Sequence, residues 1–581
     1  MNLHFDCIIK NGTFFDGKGQ PGLNRNIGIK DGRVVAISEA PLSEATAIRC
    51  IDAKDKWVIP GFIDFHTHYD GEIEVDAGLS ESVRHGVTSV FLGSCSLGAS
   101  LGKPEDIADI FCRVEGIPRS SFLPLLQEKK TWSTLTEYFE HLDGLNLGPN
   151  VGSFIPHSNL RMHTMGFSRS VQKGLRPSPA ELEAQIRLLN EGLDAGYIGL
   201  SVQTLPWDKL DGDRERSKPL PSYFASWSEY DSLTKVLRNR GRVFQGVPNL
   251  VTKINVFKFL LSSAGLFRKP LRTTVISVVD LICDRKIWFL VPALSRFVNK
   301  FLGGDFKFQA LPNPFDVWAD GMDLVIFEEF AAGTEAMHLA HLGERSQLLK
   351  DPSYRKRFKK EWSALFSPRV YHRNFKHTTI KDCPDPELIG KSFYTLAKER
   401  GQDEIELFLD LCAEYGKDLR WYSVIGNDRL KPLEYITQHP DILIGFSDAG
   451  AHLRNMAFYN YPLRFLKLAR DAHQRGDKFI PIEKAIHRLT GEVGDWFRID
   501  AGILSEGSRA DIAIIDPNGL DDALDETHEE TIAAYGGMKR MVRRNPKAVP
   551  WVLINGHLAI ENGIPTKDLG KIKMGHVIKA K

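Results

Sequence analysis

The chain alternates between two kinds of hydrophobic pattern. Residues 5 to about 58 contain short apolar runs separated by turn signals such as Asp31-Gly32, which is typical of β-hairpins. The same style returns in residues 510–517 and 551–563. Between these ends, strand-like runs alternate with longer helical stretches, for example in residues 181–202 and 434–450. This alternation predicts parallel β/α units, and two β pieces at opposite ends of a chain can close into one sandwich.

The apolar run from Trp57 to Phe65 ends in two histidines, His66 and His68. Side chains at i and i+2 of an extended chain point to the same side, so the two imidazoles converge. Histidine is the commonest metal ligand, and Zn²⁺ needs three or four nitrogen, sulfur or oxygen donors. The pair is therefore half of a metal site, and two surface histidines after a strand are the ordinary alternative.

Composition narrows the class of protein. The 581 residues suit a large domain with an accessory one. Lys and Arg number 75 against 74 Asp and Glu, which gives no reason to expect nucleic-acid binding and favours a small-molecule partner. The seven cysteines lack CxxC spacing, so neither a disulfide framework nor a zinc ribbon is indicated. With neither a signal-peptide pattern nor a membrane-spanning run, we expect a soluble, cytoplasmic protein.

Several motifs together resemble one family. The string PGFIDFHTHYD (60–70) resembles the first-strand signature of the amidohydrolase superfamily, in the form found in the N-acyl-D-amino-acid deacylase (D-aminoacylase) branch. The strings AGYIGLS (195–201) and GFSDAG (445–450) are similar to later strands of that family. Gly502 to Ile512 follow its re-entry into the β domain.

The resemblance implies an α/β fold and an activity. The expected architecture is a (β/α)₈ TIM-like barrel at residues 60–495 beside a composite β-sandwich from residues 1–59 and 496–581. The expected reaction is metal-dependent hydrolysis of the amide bond of an N-acyl amino acid. Two rivals stay open: another amidohydrolase, such as a cyclic-amide hydrolase or a deaminase, and a catalytically impaired barrel acting as a binding or peripheral-membrane protein.

The resemblance also implies a ligand set. His66 and His68 would bind the metal, and Asp448 in the Ser-Asp after the last strand would bind it and take the proton from the attacking water. Cys95 matches the family's Gly-x-Cys ligand, although a lone cysteine is more often a small core residue. A thiolate beside imidazoles favours zinc.

Two positions depart from the family pattern. Gln245 stands where relatives carry a metal-binding histidine, and Thr273-Thr274 or Ser277 stand where they carry another. A neutral amide is a poor zinc ligand, so we expect one zinc ion and doubt a second site.

Candidates for substrate binding lie near the strand ends. His157 and Arg161 belong to a stretch similar to the family's GHxxLRxxxMG, and His452 and Arg454 lie near its HPR element, with Leu453 in place of proline. Gln245 is a further candidate. Arg161 or Arg454 could hold a substrate carboxylate as a bidentate pair, and a structural hydrogen-bonded pair is the alternative for His157 and Arg161.

The segment 251–310 mixes many Phe, Leu, Val and Ile residues with Lys and Arg. This mixture fits an interfacial amphipathic helix, and it fits equally a barrel strand followed by its core-facing helix. If the segment lines an apolar entrance, long acyl chains would be preferred and a peripheral membrane contact would follow. We also expect a homo-oligomer.

Overall fold

The computed structural model describes residues 4–249, 254–339, 341–364 and 366–581. The strands, in chain order, are β1 (Phe5–Phe14), β2 (Leu23–Lys30), β3 (Arg33–Ser38), β4 (Ala47–Asp52), β5 (Trp57–Pro60), β6 (Phe62–Asp64), β7 (Val87–Leu92), β8 (Asn150–Ser153), β9 (Ile155–Pro156), β10 (Gly199–Gln203), β11 (Val243–Val247), β12 (Arg272–Ile276), β13 (Asp305–Ala310), β14 (Phe315–Asp320), β15 (Thr378–Asp382), β16 (Arg420–Gly426), β17 (Ile442–Ile444), β18 (Ile512–Ile515), β19 (His528–Ile532), β20 (Met538–Val542), β21 (Trp551–Ile554), β22 (His557–Glu561) and β23 (Ile564–Pro565).

The helices lie mainly between the strands of the central part. In chain order they are α1 (Ser80–Val83), α2 (Pro104–Glu115), α3 (Arg119–Lys129), α4 (Leu135–Gly144), α5 (His157–Met165), α6 (Phe167–Ser170), α7 (Pro179–Ala195), α8 (Trp227–Arg240), α9 (Ile254–Ser263), α10 (Ile287–Phe301), α11 (Ala331–His338), α12 (Leu342–Lys350), α13 (Pro352–Trp362), α14 (Phe393–Arg400), α15 (Glu404–Tyr415), α16 (Leu430–Gln438), α17 (Tyr461–Gln474), α18 (Ile482–Leu489) and α19 (Gly491–Phe497).

The two ends of the chain meet in one nine-stranded sheet. Its order is β23-β22-β21-β18-β5-β1-β2-β3, and β4 pairs with β1 beside β5. The ends are joined where β5 runs antiparallel to β18 with Val58 opposite Ile514. Alternating apolar residues of both ends, including Ile9, Ile27 and Leu553, form one buried cluster against this sheet. A composite β unit built from both ends was expected, and the structure contains it.

The central part is built from parallel strands taken in chain order. One sheet has the order β6-β7-β8 and the other has the order β9-β10-β11-β12-β13-β17, and all neighbours in both are parallel. Only Phe154 separates β8 from β9. At the other edge, the backbone N–H of Ser447, just after β17, donates to Asp64 of β6 at 3.4 Å. The carboxyl ends of the first and last parallel strands therefore lie together.

Close strand packing explains the second glycine of the motif AGYIGLS. A side chain at Gly199 would place its Cβ 1.9 Å from the carbonyl oxygen of Val243 on the next strand. Only glycine fits at such a backbone approach. Gly199 therefore allows β10 to lie beside β11 in the observed register. In this register Ser201 lies opposite Gln245.

A large insertion separates β13 from β17. It contains the three-stranded antiparallel sheet β14-β16-β15 and the helices α11 to α15. Stacked aromatic side chains fill its interior, such as Phe327 against Phe408 and Trp362 against Phe375. The sequence pattern did not predict this sheet.

The segment 251–310 folds as α9, β12, α10 and β13. Its residues 251–253 lie outside the described residues. The segment supplies parallel strands and helices of the central part, as the ordinary interpretation of its pattern required. Among the helices of the described residues, none has the length and apolar character needed to cross a membrane.

Candidate metal centre

Three predicted ligands converge just beyond the parallel strands. Candidate donor atoms of His66, His68 and Cys95 all lie within 4.8 Å of one another. The Nε2 atom of His66 is 3.1 Å from the Sγ atom of Cys95. The two histidines follow β6 and the cysteine follows β7, so the parallel register of these strands brings the donors to one place.

Cys95 is presented by a tight turn with left-handed backbone angles. Gly93 has φ 71°, Cys95 has φ 53° and Ser96 has φ 66°. Non-glycine residues adopt such angles at a cost of order 1–3 kcal/mol, which surrounding contacts must offset. The Cys95 N–H donates to Gln245 Oε1 at 3.2 Å, and the Ser96 N–H donates to Ser201 Oγ at 3.0 Å.

These contacts give Gln245 a defined position. Its carbonyl oxygen accepts from the Cys95 backbone, and its amide nitrogen lies 3.4 Å from Ser94 Oγ. The residue predicted to bind substrate thus holds the turn that carries a candidate ligand. Its amide is occupied by the chain itself.

Asp448 faces both imidazoles. Its Oδ1 atom lies 3.5 Å from His66 Nε2 and 3.7 Å from His68 Nε2, and it has no hydrogen-bond partner although it is buried. A buried carboxylate oxygen without a partner costs free energy unless a cation compensates it. Two imidazoles, a thiol and this oxygen form a donor set that fits one zinc ion.

The outer nitrogens of the two histidines are fixed by residues that sequence reasoning missed. The Nδ1 atom of His66 is 2.6 Å from Gln309 Oε1, and that of His68 is 3.0 Å from Glu115 Oε1. Such partners set the tautomer and orientation of a metal-binding imidazole. Gln309 could have been found from its place at the end of β13. Glu115 ends α2, far from any motif, and no sequence signal indicated it.

Burial shapes the protonation of these groups. Burial lowers the pKa of His66 to about 4, so its imidazole is neutral at neutral pH and free to bind a cation. Burial would also lower the pKa of His68, but the charge of Glu115 outweighs it and raises that pKa well above its ordinary value. Burial raises the pKa of the Cys95 thiol to about 12, so a thiolate there needs a nearby cation.

Two buried aspartates tie the loops together. Asp70 accepts from the N–H of Gly93 at 3.1 Å and from that of Ala99 at 3.3 Å, which anchors the loop carrying Cys95. Asp64 accepts from the His66 N–H at 3.4 Å and from the hydroxyl of Ser447. Burial raises the pKa of Asp64 to about 7 and that of Asp70 to about 6.

His157 and Arg161 do not contact the cluster. Both bind Glu229: His157 Nε2 lies 3.3 Å from one carboxylate oxygen, and Arg161 pairs with the other. Arg161 also donates to the carbonyl oxygens of Ser170 and Leu175, and both side chains are fully buried. The structure therefore shows the structural hydrogen-bonded pair that was the alternative for His157 and Arg161. Their expected role in substrate binding is corrected, because Glu229 occupies both side chains.

Arg454 is also occupied. It forms a bidentate pair with Asp320, at 2.7 and 3.0 Å, and binds Glu529 at 2.7 Å. These carboxylates take the place of the substrate carboxylate that we expected Arg454 to hold. His452 differs, because its side chain lines a cavity together with Asp448, and its backbone N–H donates to the carbonyl oxygen of Glu115 at 2.9 Å.

This cavity has a volume of about 620 Å³ and Asp448 lies in its wall. Burial raises the pKa of a second wall carboxyl, Asp208, to about 7. Most of the wall is apolar and comes from the segment 276–287 and from the insertion. Its apolar residues include Leu281, Ile287, Val317, Ile326, Ile425 and Met456. The one arginine among the described lining residues is Arg369, which forms no salt bridge with a described residue.

Comparisons with known proteins agree with this architecture. No family model matches the chain. An uncharacterized protein of Mycobacterium tuberculosis is 46% identical over 563 residues, covering 96% of this chain and 92% of that protein. The N-acyl-D-glutamate deacylase of Alcaligenes xylosoxydans xylosoxydans is 31% identical over 242 residues, covering 42% of this chain and 43% of that protein.

Among solved structures, the N-acyl-D-glutamate deacylase of Bordetella bronchiseptica, complexed with zinc and a phosphonate inhibitor, matches with a TM-score of 0.65. It is 21% identical, and the match covers all of both chains. With the strand order, the structural likeness shows that the chain has the fold of this deacylase, and part of its sequence is similar to the N-acyl-D-amino-acid deacylases of the amidohydrolase superfamily.

Proposed function

We propose that the protein is a metal-dependent hydrolase of the amide bond of N-acyl amino acids with long acyl chains. The observation that carries this proposal is the convergence of His66, His68, Cys95 and Asp448 at the wall of a largely apolar cavity. The parallel strands of residues 60–495 would close into a (β/α)₈ barrel beside the β domain of residues 1–59 and 496–581. The cytoplasmic location and the homo-oligomer stay predictions.

The donor set supports one zinc ion. His66, His68, Cys95 and Asp448 would hold it, and the ion would supply a Lewis acid for the scissile carbonyl and lower the pKa of water. A second ion has less support, because Gln245 is engaged with the turn of Cys95 and Thr274 stands on the following strand. Glu115 and Gln309 would keep the two imidazoles aligned for binding.

Asp448 is proposed as the group that handles the proton. Its Oδ1 atom is buried and unpaired, and its side chain lines the cavity where a substrate amide would lie. It would take a proton from the attacking water and deliver it to the leaving amine, because no other carboxylate of the described residues lies as close to both His66 and His68.

Arg369 is proposed to bind the substrate carboxylate, in place of Arg454 and Arg161. It lines the same cavity as Asp448, and its guanidinium has no carboxylate partner among the described residues. A guanidinium can bind a carboxylate through two parallel hydrogen bonds. With the substrate carboxylate bound by Arg369, the acyl chain would lie against the apolar wall of the cavity.

The first prediction concerns zinc. Because the donor set fits one ion, purified protein should hold about one equivalent of zinc per chain, and Cys95→Ser should lower this below about half an equivalent. Elemental analysis after gel filtration measures it. Cys50→Ser changes an exposed cysteine remote from the site and is the control. Two tightly held equivalents would refute the single site, and none would favour the impaired binding protein.

The second prediction concerns Asp448. Asp448→Asn keeps the size of the side chain and removes the proton acceptor, so kcat should fall by about 10²–10⁴-fold. The matched control is Asp522→Asn, whose carboxylate is almost fully exposed far from the cavity. A parent rate in Asp448→Asn with zinc retained would end the assignment.

The third prediction concerns Arg369. Arg369→Gln should lower kcat/KM for an N-acyl amino acid by about 10–100-fold, as expected when a charged hydrogen bond of ~1.5–3 kcal/mol is lost. The carboxamide of the same substrate lacks the charge and should be affected little. Arg454→Gln serves as comparison, because breaking its pair with Asp320 should affect both substrates alike. If Arg369→Gln lowered kcat/KM equally for both substrates, Arg369 would not bind the substrate carboxylate.

The fourth prediction concerns chain length. From N-acetyl to N-palmitoyl amino acids, kcat/KM should rise by roughly a few-fold per two carbons until the cavity is filled, because each buried CH₂ contributes up to ~0.8 kcal/mol. Val325→Asp, at a half-buried wall position, should flatten the series and leave the N-acetyl substrate unchanged. A flat or falling series in the parent protein would defeat the long-chain proposal.

A further inference from the structure

The outward face of α10 is apolar, which is unusual for a helix on the surface of a central α/β unit. Phe289, Phe297 and Phe301 all point to solvent, with Phe297 53% and Phe301 61% exposed. The buried face of the helix carries Pro292, Ser295 and Val298 instead. Half-buried Trp288, Val291 and Leu294 pack against the core, while the phenylalanines face away from it.

The neighbouring helix continues this surface. Phe257 and Leu261 on α9 are exposed, and Phe267 in the loop after it is fully exposed with φ 56°. The loop packs against the end of α10, where the N–H of Gly265 donates to the carbonyl oxygen of Leu302 at 2.9 Å. We define the α9–α10 surface as the exposed side chains of residues 257–269 and 286–301. A contiguous exposed apolar surface of this kind marks an interaction site.

The charge of the α9–α10 surface has one sign. Lys258, Arg268, Lys269, Lys286 and Lys300 form no salt bridge with the described residues. Residues 254–303 contain only two acidic residues, Asp280 and Asp284. Asp280 is buried and paired with Arg285 and Arg429, while Asp284 accepts from the backbone N–H of Lys286 at 3.2 Å. The aromatic groups are thus surrounded by uncompensated cations.

The first turn of α10 reaches the cavity. Ile287, the first residue of α10, and Cys283 just before it line the cavity that holds Asp448. Phe366, 98% exposed, lies on the same lining. The start of α10 therefore borders the cavity, while Phe297 and Phe301 lie about 15 and about 21 Å further along the helix axis.

We propose that the α9–α10 surface docks on an anionic lipid bilayer. Exposed Phe and Leu side chains can enter the headgroup boundary while Lys and Arg pair with anionic headgroups. A second copy of the chain is a poorer occupant, because two such surfaces face to face would bring like charges together. On the proposed function, docking would bring the enzyme to the surface in which a lipid-like N-acyl amino acid resides.

The test is flotation of the full chain with lipid vesicles. Vesicles of phosphatidylcholine with about one-third phosphatidylglycerol should bind the parent protein at 0.1 M salt, and pure phosphatidylcholine vesicles should bind it less. Phe297→Ser/Phe301→Ser should weaken binding by about tenfold or more, since both side chains would leave the bilayer. Lys269→Glu/Lys300→Glu should weaken it by about twentyfold or more, at roughly fivefold for each cation removed.

Two control variants match these changes. Ile48→Ser removes an exposed apolar side chain on β4, and Lys356→Glu/Lys360→Glu reverses two exposed cations on α13. Both should bind vesicles as the parent does. Light scattering after size-exclusion chromatography measures the oligomeric state of every variant, so that a loss of self-association is recognised.

Three results would overturn the docking. These are a parent protein that stays unbound on anionic vesicles, surface variants that bind as well as the controls, and a loss of self-association on changing Phe297 and Phe301 without any vesicle binding. Hydrolysis of N-acyl amino acids tests the proposed function independently of vesicle binding. Vesicle binding without hydrolysis of any N-acyl amino acid would defeat the proposed function and leave the docking intact.

Discussion

A buried carboxylate oxygen facing two buried imidazoles is the constraint on which the site depends. Asp448 Oδ1 has no hydrogen-bond partner, and water is excluded from His66 beside it. A cation bound beside this oxygen would compensate the carboxylate and accept the imidazole lone pairs. This is the physical basis for the proposal that the four donors share one ion.

Bringing these donors together requires loops that are bent and firmly held. Cys95 and Asp448 both have left-handed backbone angles, with φ 53° and 51°. Gln245 and Ser201 hold the first turn, and Asp64 connects the second to β6 through Ser447. The parallel strands supply the rigid base for these loops. Strained backbone angles persist only where surrounding contacts hold them in place. This explains why many buried polar residues surround the few donor residues.

The sequence predicted what depends on local pattern. The HxH spacing, the Ser-Asp after an apolar strand and the hairpins at both ends are local, so His66, His68, Asp448 and the composite β unit could be found without the structure. Sequence reasoning failed where a residue's partner lies far along the chain. Arg161 and Arg454 carry the right chemistry for a substrate carboxylate, but Glu229 and Asp320 bind them first. Glu115 lies in no motif, so only the fold could show that it contacts His68, whereas the place of Gln309 at the end of β13 was a usable sequence signal.

The insertion between β13 and β17 lines the cavity that also holds Asp448. Its residues, such as Val317 and Ile326, form much of the apolar wall beside Asp448, and the rest comes from the segment that also carries α10. A polar site alone would discriminate weakly between acyl chains, because their differences are apolar. An apolar wall discriminates by the area it buries. On the proposed function, the insertion would therefore set the preference for acyl-chain length, and Ile287 at the start of α10 completes the same wall.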